Sequence, residues 1–591
     1  MKKIYIGLLA AVLGLAACDK LDQLPESTAS RQAVFGSENG LRLYTNSFYN
    51  MGFLTRNSTT MDAMTDYLAV RSVQDFIRPG GFAANNSSGW SWSDLRNINY
   101  FIVNCNNPAV PEATRNNYLG LARYFRAFFY FDKVERFGDV PWINRPLDIT
   151  DSSALNAGRD SRTLVMDSVL ADLDFACNNI QATSDPSRTT VTKWVAYALK
   201  SRICLFEGTY RKYHTELNLA GSANRWLEES ASAAKFIMDN GGFSINTAGG
   251  DLAYRNVFIS NAPLANEVLQ ASVADVNLGV LNEGNWWWTS GTYGAKASFT
   301  RTFINTYLKI DGTPFTNTPG YQTMLFKDEV KNRDLRLKQT IRTPGYTRIS
   351  NGAVVPAPPV FSYTFTGYQP IKWVLDDMRF DAGALNTNAI PLFRFAEVLL
   401  NYAEAKAELG ALTDAEWAQT IGVLRGRAGI TGGLQAKPMV ADPYLIANYF
   451  PGISDPAILE VRRERGIELS LEGVRFADLL RWKRGELMEQ VWNGFYVPAL
   501  NTPMDLNEDG INDVLFYQGT APAPIAGVTF VNVSPTIGGA VNSQRLSNNT
   551  SGELTWMTEI PRDWTDKNYL YPIPLNDLQR NPRLGQNPGW E

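Results

Sequence analysis

The sequence predicts a mainly α-helical protein in which paired helices form a scaffold and long irregular loops are inserted between them. Three observations support this fold class. Several stretches carry apolar or small residues at spacings of three and four, the period of an amphipathic helix. These stretches come in pairs, with alanines where two helices would approach closely. Between them run long segments rich in Gly, Asn, Thr, Pro and aromatic residues, with little helical periodicity and a few short strand-like runs.

The chain begins with an export signal. Lys2 and Lys3 precede an apolar run at 4–13, and residues 15–18 are Leu-Ala-Ala-Cys. A basic start, about ten apolar residues and a small-residue site indicate a secretory signal rather than a membrane span. The last four residues resemble the bacterial lipobox, which implies cleavage before Cys18 and acylation of that residue. The alternative is an ordinary cleaved signal in which Cys18 is incidental.

We therefore divide the chain into a lipoprotein signal peptide at 1–17, a lipidated tether at 18–30 and one large domain at 31–591. Several acyl chains on one residue would give effectively permanent membrane anchoring. No second stretch of eighteen apolar residues occurs, so we expect no other membrane span. Loss of two lysines with the signal takes the formal charge from -4 to -6, and no basic run remains, which argues against a nucleic-acid partner.

Cysteine and histidine are scarce. The remaining thiols, Cys105, Cys177 and Cys204, lack metal-ligand spacing, and we expect small buried thiols; a disulfide between two of them is the alternative. His214 is the only histidine and lies near no nucleophile motif. Because most catalytic triads and much acid-base catalysis use imidazole, the sequence predicts that the protein is not an enzyme, although two carboxylates could still serve a glycosidase.

The first long helix shows the pattern best. Phe125 and Phe129 lie on its inward face, Arg126 and Lys133 on the face expected to meet water, and Gly138 ends it. The predicted helices span residues 118–137, 164–178, 193–207, 224–240, 392–409, 413–428 and 456–471. Paired helices of this kind suggest stacked antiparallel hairpins similar to tetratricopeptide repeats, although no strict repeat period is visible.

Three insertions, at about 55–100, 241–390 and 492–560, interrupt the helices, and residues 359–366 resemble a strand. Loops this long inside an ordered domain are usually functional, so the insertions are where we expect a binding face.

The third insertion contains the front half of a calcium loop. Its oxygen ligands at positions 1, 3, 5, 7 and 9 would come from Asp505, Asn507, Asp509, the carbonyl of Ile511, and Asp513. Glycine at position 6 suits the tight turn, but position 12 is Phe516 rather than an acid. The sequence predicts a structural Ca²⁺ that would pin this loop; an Asx-rich turn that binds nothing is the alternative.

Four further motifs span most of the chain. They are residues 123–141, ending in Gly-Asp-Val-Pro; 392–406, with Arg-Phe-Ala-Glu-Val; 464–482; and Tyr-Pro-Ile-Pro at 571–574 followed by 581–590. In this order they resemble the SusD/RagB family of outer-membrane nutrient-binding lipoproteins from the Bacteroidetes. Their carboxylates, such as Glu404 and Glu464, are spaced for ion pairs with arginines on helix faces rather than for catalysis. The prolines at 572 and 574 suggest an extended C-terminal strap.

The resemblance implies a tetratricopeptide-like scaffold that sits as a lid on a SusC-type TonB-dependent transporter. The protein would capture a glycan outside the cell and deliver it to that partner. A peptide ligand is the first alternative, because the family also includes peptide binders. A lipid-anchored glycoside hydrolase is the second, and it would need two carboxylates facing each other across a cleft.

In this family the ligand-contacting aromatics come from loops. A sugar presents C-H faces that stack on aromatic rings and hydroxyls that bond to Asn, Asp and Arg. The candidate ligand-binding residues are therefore Asp66, Trp90, Trp92, Asn285, Trp286, Trp287, Trp288 and Tyr293. Three adjacent tryptophans cannot all face one way, so we expect at least one to be buried; in a strand, the first and third would share a face.

Overall fold

The computed structural model describes residues 31–51, 64–292 and 294–591. The predicted signal peptide, Cys18, the tether and Tyr293 therefore lie outside the described residues. Within them, no helix is both long enough and apolar enough to cross a membrane.

Helices dominate the fold. They are α1 (Arg31–Phe35), α2 (Glu38–Asn46), α3 (Ser93–Asn104), α4 (Glu112–Phe137), α5 (Ser152–Leu155), α6 (Arg162–Asn179), α7 (Lys193–Tyr213), α8 (Ala223–Asn240), α9 (Ala253–Ile259), α10 (Gly284–Thr289), α11 (Arg301–Ile304), α12 (Phe326–Glu329), α13 (Leu335–Thr340), α14 (Phe395–Glu408), α15 (Asp414–Trp417), α16 (Val423–Arg427), α17 (Pro443–Asn448), α18 (Pro456–Glu468), α19 (Arg475–Arg481) and α20 (Leu575–Arg580).

The strands are short and form small separate sheets. They are β1 (Leu68–Ala69), β2 (Val268–Ser272), β3 (Ser298–Phe299), β4 (Thr347–Ser350), β5 (Ala353–Pro356), β6 (Ile390–Arg394), β7 (Trp492–Val497), β8 (Val514–Tyr517), β9 (Thr529–Asn532), β10 (Thr536–Ile537), β11 (Ala540–Val541), β12 (Gln544–Leu546) and β13 (Gly552–Trp556). Their pairings are β1-β3, β2-β6, β4-β5, β8-β9, β10-β11 and β12-β13-β7.

The long helices pack as the sequence predicts. Helix α4 packs on α6, α7 on α8, and α14 on both α8 and α18, so consecutive helices form hairpins that stack on their neighbours. The tetratricopeptide-like scaffold is therefore confirmed. Gly138 ends α4 with φ +73, and its N-H donates to the carbonyl of Val134, which is the predicted glycine end of the helix.

For two residues of α4 the sequence predicts exposure to water, and the structure shows burial instead. Arg126 and Lys133 are both 6% exposed rather than turned to water. The guanidinium of Arg126 bonds both carboxylate oxygens of Asp172 on α6, at 2.6 and 2.8 Å, and the ammonium of Lys133 donates to the carbonyl of Gly89. Periodicity identifies the face of a helix, but it does not show whether a second layer of chain covers that face.

Two other boundaries differ from the prediction. Residues 392–409 are not one helix, because β6 pairs with β2 before α14 begins at Phe395. Residues 359–366 contain no strand: the N-H of Phe365 bonds to the hydroxyl of Ser298, and the hydroxyl of Thr366 bonds to the carbonyl of Phe299. Side chains thus dock this segment beside β3, without a strand ladder. The hairpin lies earlier, at β4 and β5.

The motif carboxylates form buried ion pairs, as expected. Glu468 on α18 contacts Arg336 at 2.9 Å and Arg394 at 2.6 Å, and it also pairs with Arg427. Because Arg336 and Arg394 belong to α13 and β6, this network fastens the end of the second insertion to the scaffold. Burial opposes ionisation of Glu468, but the three arginines outweigh it and hold its pKa well below the usual value.

The C-terminal strap and the thiols also agree with the sequence. Residues 571–574 are extended and largely buried, and the side-chain amide of Asn587 bonds the carbonyls of Phe137 and Tyr571. The three cysteines that follow Cys18 are free and buried. His214 is buried as well, with Nε2 bonded to the carbonyl of Leu480 at 2.8 Å.

Candidate functional site

The three insertions meet at one place. Strand β1, from the first insertion, pairs with β3 of the second, with Leu68 opposite Phe299. Trp556, in the third insertion, donates its indole N-H to the carbonyl of Val70 at 2.9 Å. Its ring stacks on Phe365 of the second insertion, with centroids 3.8 Å apart and planes 11° from parallel. We call this meeting point the insertion junction and define it by Val70, Arg71, Trp287, Lys296, Phe365 and Trp556.

The aromatic pair of the junction is rigid and partly open. Trp556 is half-buried, whereas Phe365 beneath it is 9% exposed. The side-chain amide of Gln544 bonds the backbone carbonyl of Phe365 at 3.0 Å. The indole N-H of Trp556 is held by Val70, and the backbone of Phe365 by Gln544. A flat ring held in one orientation can receive a flat apolar partner with little loss of side-chain entropy.

Arg71 secures the loop that follows α10. Its two terminal nitrogens donate to the carbonyls of Thr292 at 2.9 Å and Gly291 at 3.1 Å. The rest of the side chain is exposed. The guanidinium is thereby held in place at the rim of the junction.

Lys296 lies beside it. The β1-β3 ladder ends at Ala69 opposite Ser298. Arg71 lies two residues after Ala69 and Lys296 two residues before Ser298, so both cations lie just beyond the same end of the ladder. Lys296 has a left-handed backbone with φ +49, which is uncommon for a residue with a side chain. Its ammonium lies 5.8 Å from the Phe365 ring centroid. Burial and the neighbouring charge of Arg71 both lower the pKa of Lys296.

The three tryptophans form one short helix, not a strand. Because successive residues of a helix are turned by about 100°, Trp286 and Trp288 face different ways. Trp288 is the buried member, at 6% exposure, while Trp286 and Trp287 are half-buried. The carbonyl of Trp287 accepts the N-H of Ala295 at 3.2 Å, which sets Trp287 beside the segment that carries Lys296 and leads into β3.

Asn285 and Asp66 are interior residues. The side-chain oxygen of Asn285 accepts from the N-H of Leu375 and the amide of Asn386, and its amide donates to the carbonyl of Leu375 and to Asp381. Asp66 is 2% exposed and bonds Arg475 through both oxygens, at 2.8 and 2.6 Å. The Asn285 side chain uses both donors and its oxygen within the protein, and Asp66 is buried against Arg475. Both residues position the fold, and the structure does not support a ligand contact for either.

Trp90 and Trp92 belong to a different surface. Their rings pack edge to face, 5.3 Å apart, and rest on Phe137 and Phe129 of α4. Trp92 also lines a cavity of about 240 Å³ whose other lining residues are both polar, such as Arg96 and Arg145, and apolar. This pair offers a half-buried aromatic edge beside α4 and is not part of the insertion junction as we define it.

Sequence reasoning identified Trp286 and Trp287 but missed Arg71, Lys296 and the Phe365-Trp556 pair. One signal was available for Lys296: residues 284–310 contain no acidic residue, so a cation beside the tryptophan cluster had no local partner. The aromatic stack had no comparable signal, because its two rings are far apart in the chain and only the tertiary structure joins them.

The predicted calcium loop has a tight Asx geometry. The carboxylate of Asp505 accepts the N-H groups of Asn507, Glu508 and Gly510 at 3.2, 2.7 and 3.0 Å. Burial and the nearby Asp509 and Asp505 raise the pKa of Asp513 to about 6. Across the described ranges, no group of three or more His, Cys, Asp or Glu side chains is arranged to hold a metal. Calcium would therefore also need Asn507 and the carbonyl of Ile511, and it stays a prediction.

Comparison with known proteins gives a consistent result. The sequence model of the SusD family matches residues 261–590. Two SusD-like proteins of Formosa agariphila are each 24% identical, over 427 and 466 residues, which is 69% and 72% of this chain and 75% and 77% of theirs.

Solved structures share the fold over nearly the whole chain. A SusD-like protein of Bacteroides fragilis superposes with a TM-score of 0.67 at 20% identity, covering 95% of this chain and 98% of its own. A SusD-like carbohydrate-binding protein of the same species superposes with a TM-score of 0.66 at 19% identity, covering 93% of this chain and 100% of its own.

Proposed function

This chain belongs to the SusD family, and from that premise we propose that it binds an oligosaccharide or polysaccharide at the cell surface. It would deliver this glycan to a SusC-like TonB-dependent transporter of the outer membrane. The observation that carries the proposal is the insertion junction, where a fixed and half-exposed tryptophan ring lies beside two cationic side chains. A SusD-like protein of this fold is known to bind carbohydrate, which supports the choice of ligand class.

The chemistry of the junction suits a sugar. The Trp556 ring offers flat apolar area to the C-H face of a pyranose, and its own N-H is already satisfied by the carbonyl of Val70. The guanidinium of Arg71 supplies hydrogen-bond donors for hydroxyl groups at the rim. A mixture of one rigid aromatic face and a few directional donors is typical of small-ligand sites.

The site favours binding over bond cleavage. A glycosidase needs two carboxylates flanking the scissile bond. Among the described contacts of Arg71, Lys296, Phe365 and Trp556, no carboxylate appears. We propose capture and transfer for this protein, with no catalytic step, in keeping with its membership of the SusD family.

Cys18 would carry the lipid that holds the domain at the outer membrane, with residues 18–30 as its tether. Metabolic labelling with radioactive palmitate tests this directly. Wild-type protein should incorporate label and Cys18→Ala should not. Labelled protein in the Cys18→Ala variant would contradict lipidation at this residue.

Affinity electrophoresis tests the ligand. The chain from residue 19 is run through gels that contain different polysaccharides, beside Trp556→Ala and Trp287→Ala. Loss of one aromatic stack, worth roughly 0.5–1.5 kcal/mol, should weaken binding about 2- to 12-fold. Trp142→Ala is the matched control, because Trp142 is also half-buried but packs on Tyr130, away from the junction.

Three results would change the assignment. Retardation that Trp142→Ala reduces as much as Trp556→Ala would remove the site from the junction. Reducing sugar released from the polysaccharide would make the protein a hydrolase. Retardation by no glycan, together with thermal stabilisation by peptides, would favour the peptide ligand.

A further inference from the structure

Two neighbouring cations at the junction have no anionic partner among the described residues. Arg71 bonds only the carbonyls of Gly291 and Thr292, which leaves three of its five N-H groups without an acceptor there. The ammonium of Lys296 has one described contact, the face of Phe365. Many other basic residues of this chain pair with carboxylates; Arg78, on the same loop as Arg71, bonds Asp75 at 3.0 Å.

This arrangement opposes stability. Like charges that lie close together repel, and burial together with the charge of Arg71 lowers the pKa of Lys296. Residues 284–310 offer no acid to relieve this repulsion. The left-handed backbone at Lys296 adds strain that asparagine or glycine would avoid. The burial that lowers the pKa of Lys296 comes from the same packing that brings its ammonium beside Phe365. A bound anion would remove the repulsion and satisfy the free donors of both side chains.

We propose that the glycan bound by this protein is acidic, with a carboxylate or sulfate group held between Arg71 and Lys296 while the adjoining sugar ring rests on Trp556. This inference rests on the proposed glycan-binding function and names the class of its ligand. The guanidinium is fixed by two carbonyls before the ligand arrives, so its remaining donors are already oriented toward an oxyanion. Lys296 contributes a compact charge from the opposite segment.

The test uses polymers in matched pairs. Polygalacturonate and alginate are compared with their carboxyl-reduced forms, and chondroitin sulfate with its desulfated form, by affinity electrophoresis and titration calorimetry. Arg71→Gln and Lys296→Asn each remove one charge, and asparagine suits the left-handed backbone at 296. We expect each variant to bind the acidic polymer roughly tenfold or more weakly, the usual effect of losing a hydrogen bond to a charged group, and affinity to fall as salt rises.

Charge-matched control variants separate the loss of a specific contact at the junction from a general change in the net charge of the protein. Arg78→Gln and Lys338→Gln remove the same charge at exposed residues that pair with Asp75 and Asp251, and both should bind like the wild type. Thermal unfolding of every variant checks folding. If Arg71→Gln is unstable because its loop ties are lost, Lys296→Asn still decides the question, since its side chain holds no backbone group in the described structure.

The outcomes distinguish the two proposals. Equal binding of an acidic polymer and its neutral form overturns the acidic-ligand inference and leaves glycan binding intact. Unchanged affinity of a folded Lys296→Asn for the acidic polymer also overturns the inference. Failure to bind any polymer of this panel overturns the acidic-ligand inference. The glycan-binding proposal is overturned only if the wider set of polysaccharide gels also gives no retardation. Preference for the acidic member of a pair, lost in both variants and kept in both controls, supports the inference.

Discussion

The clearest quantitative prediction concerns one buried carboxylate of the scaffold. Glu404 lies on α14 with 1% of its side chain exposed. Its two oxygens bond Arg481 at 2.6 and 2.7 Å, and the indole N-H of Trp482 donates to the same carboxylate at 2.7 Å. Glu404→Gln keeps the shape and removes the charge, which leaves Asp478 as the carboxylate partner of Arg481. We expect the variant to fold and to be less stable.

The size of the effect follows from the pKa of Glu404. Burial opposes ionisation, but Arg481 and its neighbours outweigh it and lower the pKa from 4.5 to about 2. A shift of this size corresponds to about 3 kcal/mol of folding free energy. Loss of one partner from a buried ion pair typically costs about 3–5 kcal/mol, which agrees. Because the pKa is lower in the folded state, the stabilisation is complete above about pH 4.5 and declines as the pH falls toward 2.

Thermal unfolding at pH 7.5 and pH 3.5 measures this difference. At about 2.1 cal/mol/K per residue, unfolding of residues 31–591 has an entropy of about 1.2 kcal/mol/K, so 3 kcal/mol lowers Tm by about 2.5 °C. At pH 3.5 the Tm difference between wild type and variant should shrink to about 1.5 °C. The control is Glu216→Gln, because Glu216 is 49% exposed and pairs with Lys483; its shift should stay below about 1 °C. An equal Tm difference between wild type and Glu404→Gln at both pH values would refute the explanation by the charge of Glu404.

Three further predictions follow from the loops and the core. After treatment with a chelator, 1 mM calcium should raise the wild-type Tm by about 2 °C, since ligand at a hundred times Kd adds about 2.7 kcal/mol. The Tm of Asp509→Asn should not respond to calcium. A wild-type Tm that does not respond would favour the Asx turn that binds nothing. Gly367→Ala should lower Tm strongly, because φ is +89 and a Cβ would overlap the Phe495 ring. Gly352→Ala is the control, since φ is +83 there but the space around it is open, and it should lower Tm much less. An equal fall in Tm for both variants would contradict a steric clash with Phe495. Burial raises the pKa of Cys105 to about 11, and the three buried thiols should react with a disulfide reagent at pH 8 only after denaturation, so rapid reaction of the native protein would contradict their burial.

The scaffold could be predicted because its signals are local. Apolar spacing located the longest helices, and the glycine at 138 ended α4 as expected. It missed α3, which overlaps the end of the first predicted insertion. The errors arose where a second layer of structure decides the outcome. Lys133 has a polar side chain on an amphipathic helix, yet the carbonyl of Gly89 approaches it from a distant loop. Residues 359–366 have strand-forming side chains, but those side chains dock on β3 in place of a ladder.

The candidate site was predictable only in outline. The composition of the insertions identified where binding should occur, and the tryptophan cluster was found because it is contiguous in sequence. Asn285 was misjudged, since a polar residue beside tryptophans resembles a ligand contact, whereas its partners Leu375 and Asn386 lie about a hundred residues away. The Trp556-Phe365 stack likewise depends on a meeting of segments that no local pattern records.

The hydrogen bond from Trp556 to Val70 joins two positions that are 486 residues apart in the chain. Loop-closure entropy grows with the length of chain that must be gathered before such a contact forms. The proposed binding surface therefore joins early and late parts of the polypeptide, and it forms only when these two parts pack against each other. A chain in which the first and third insertions fail to meet would lack this contact, so ligand binding at the junction would report that the two ends of the domain have come together.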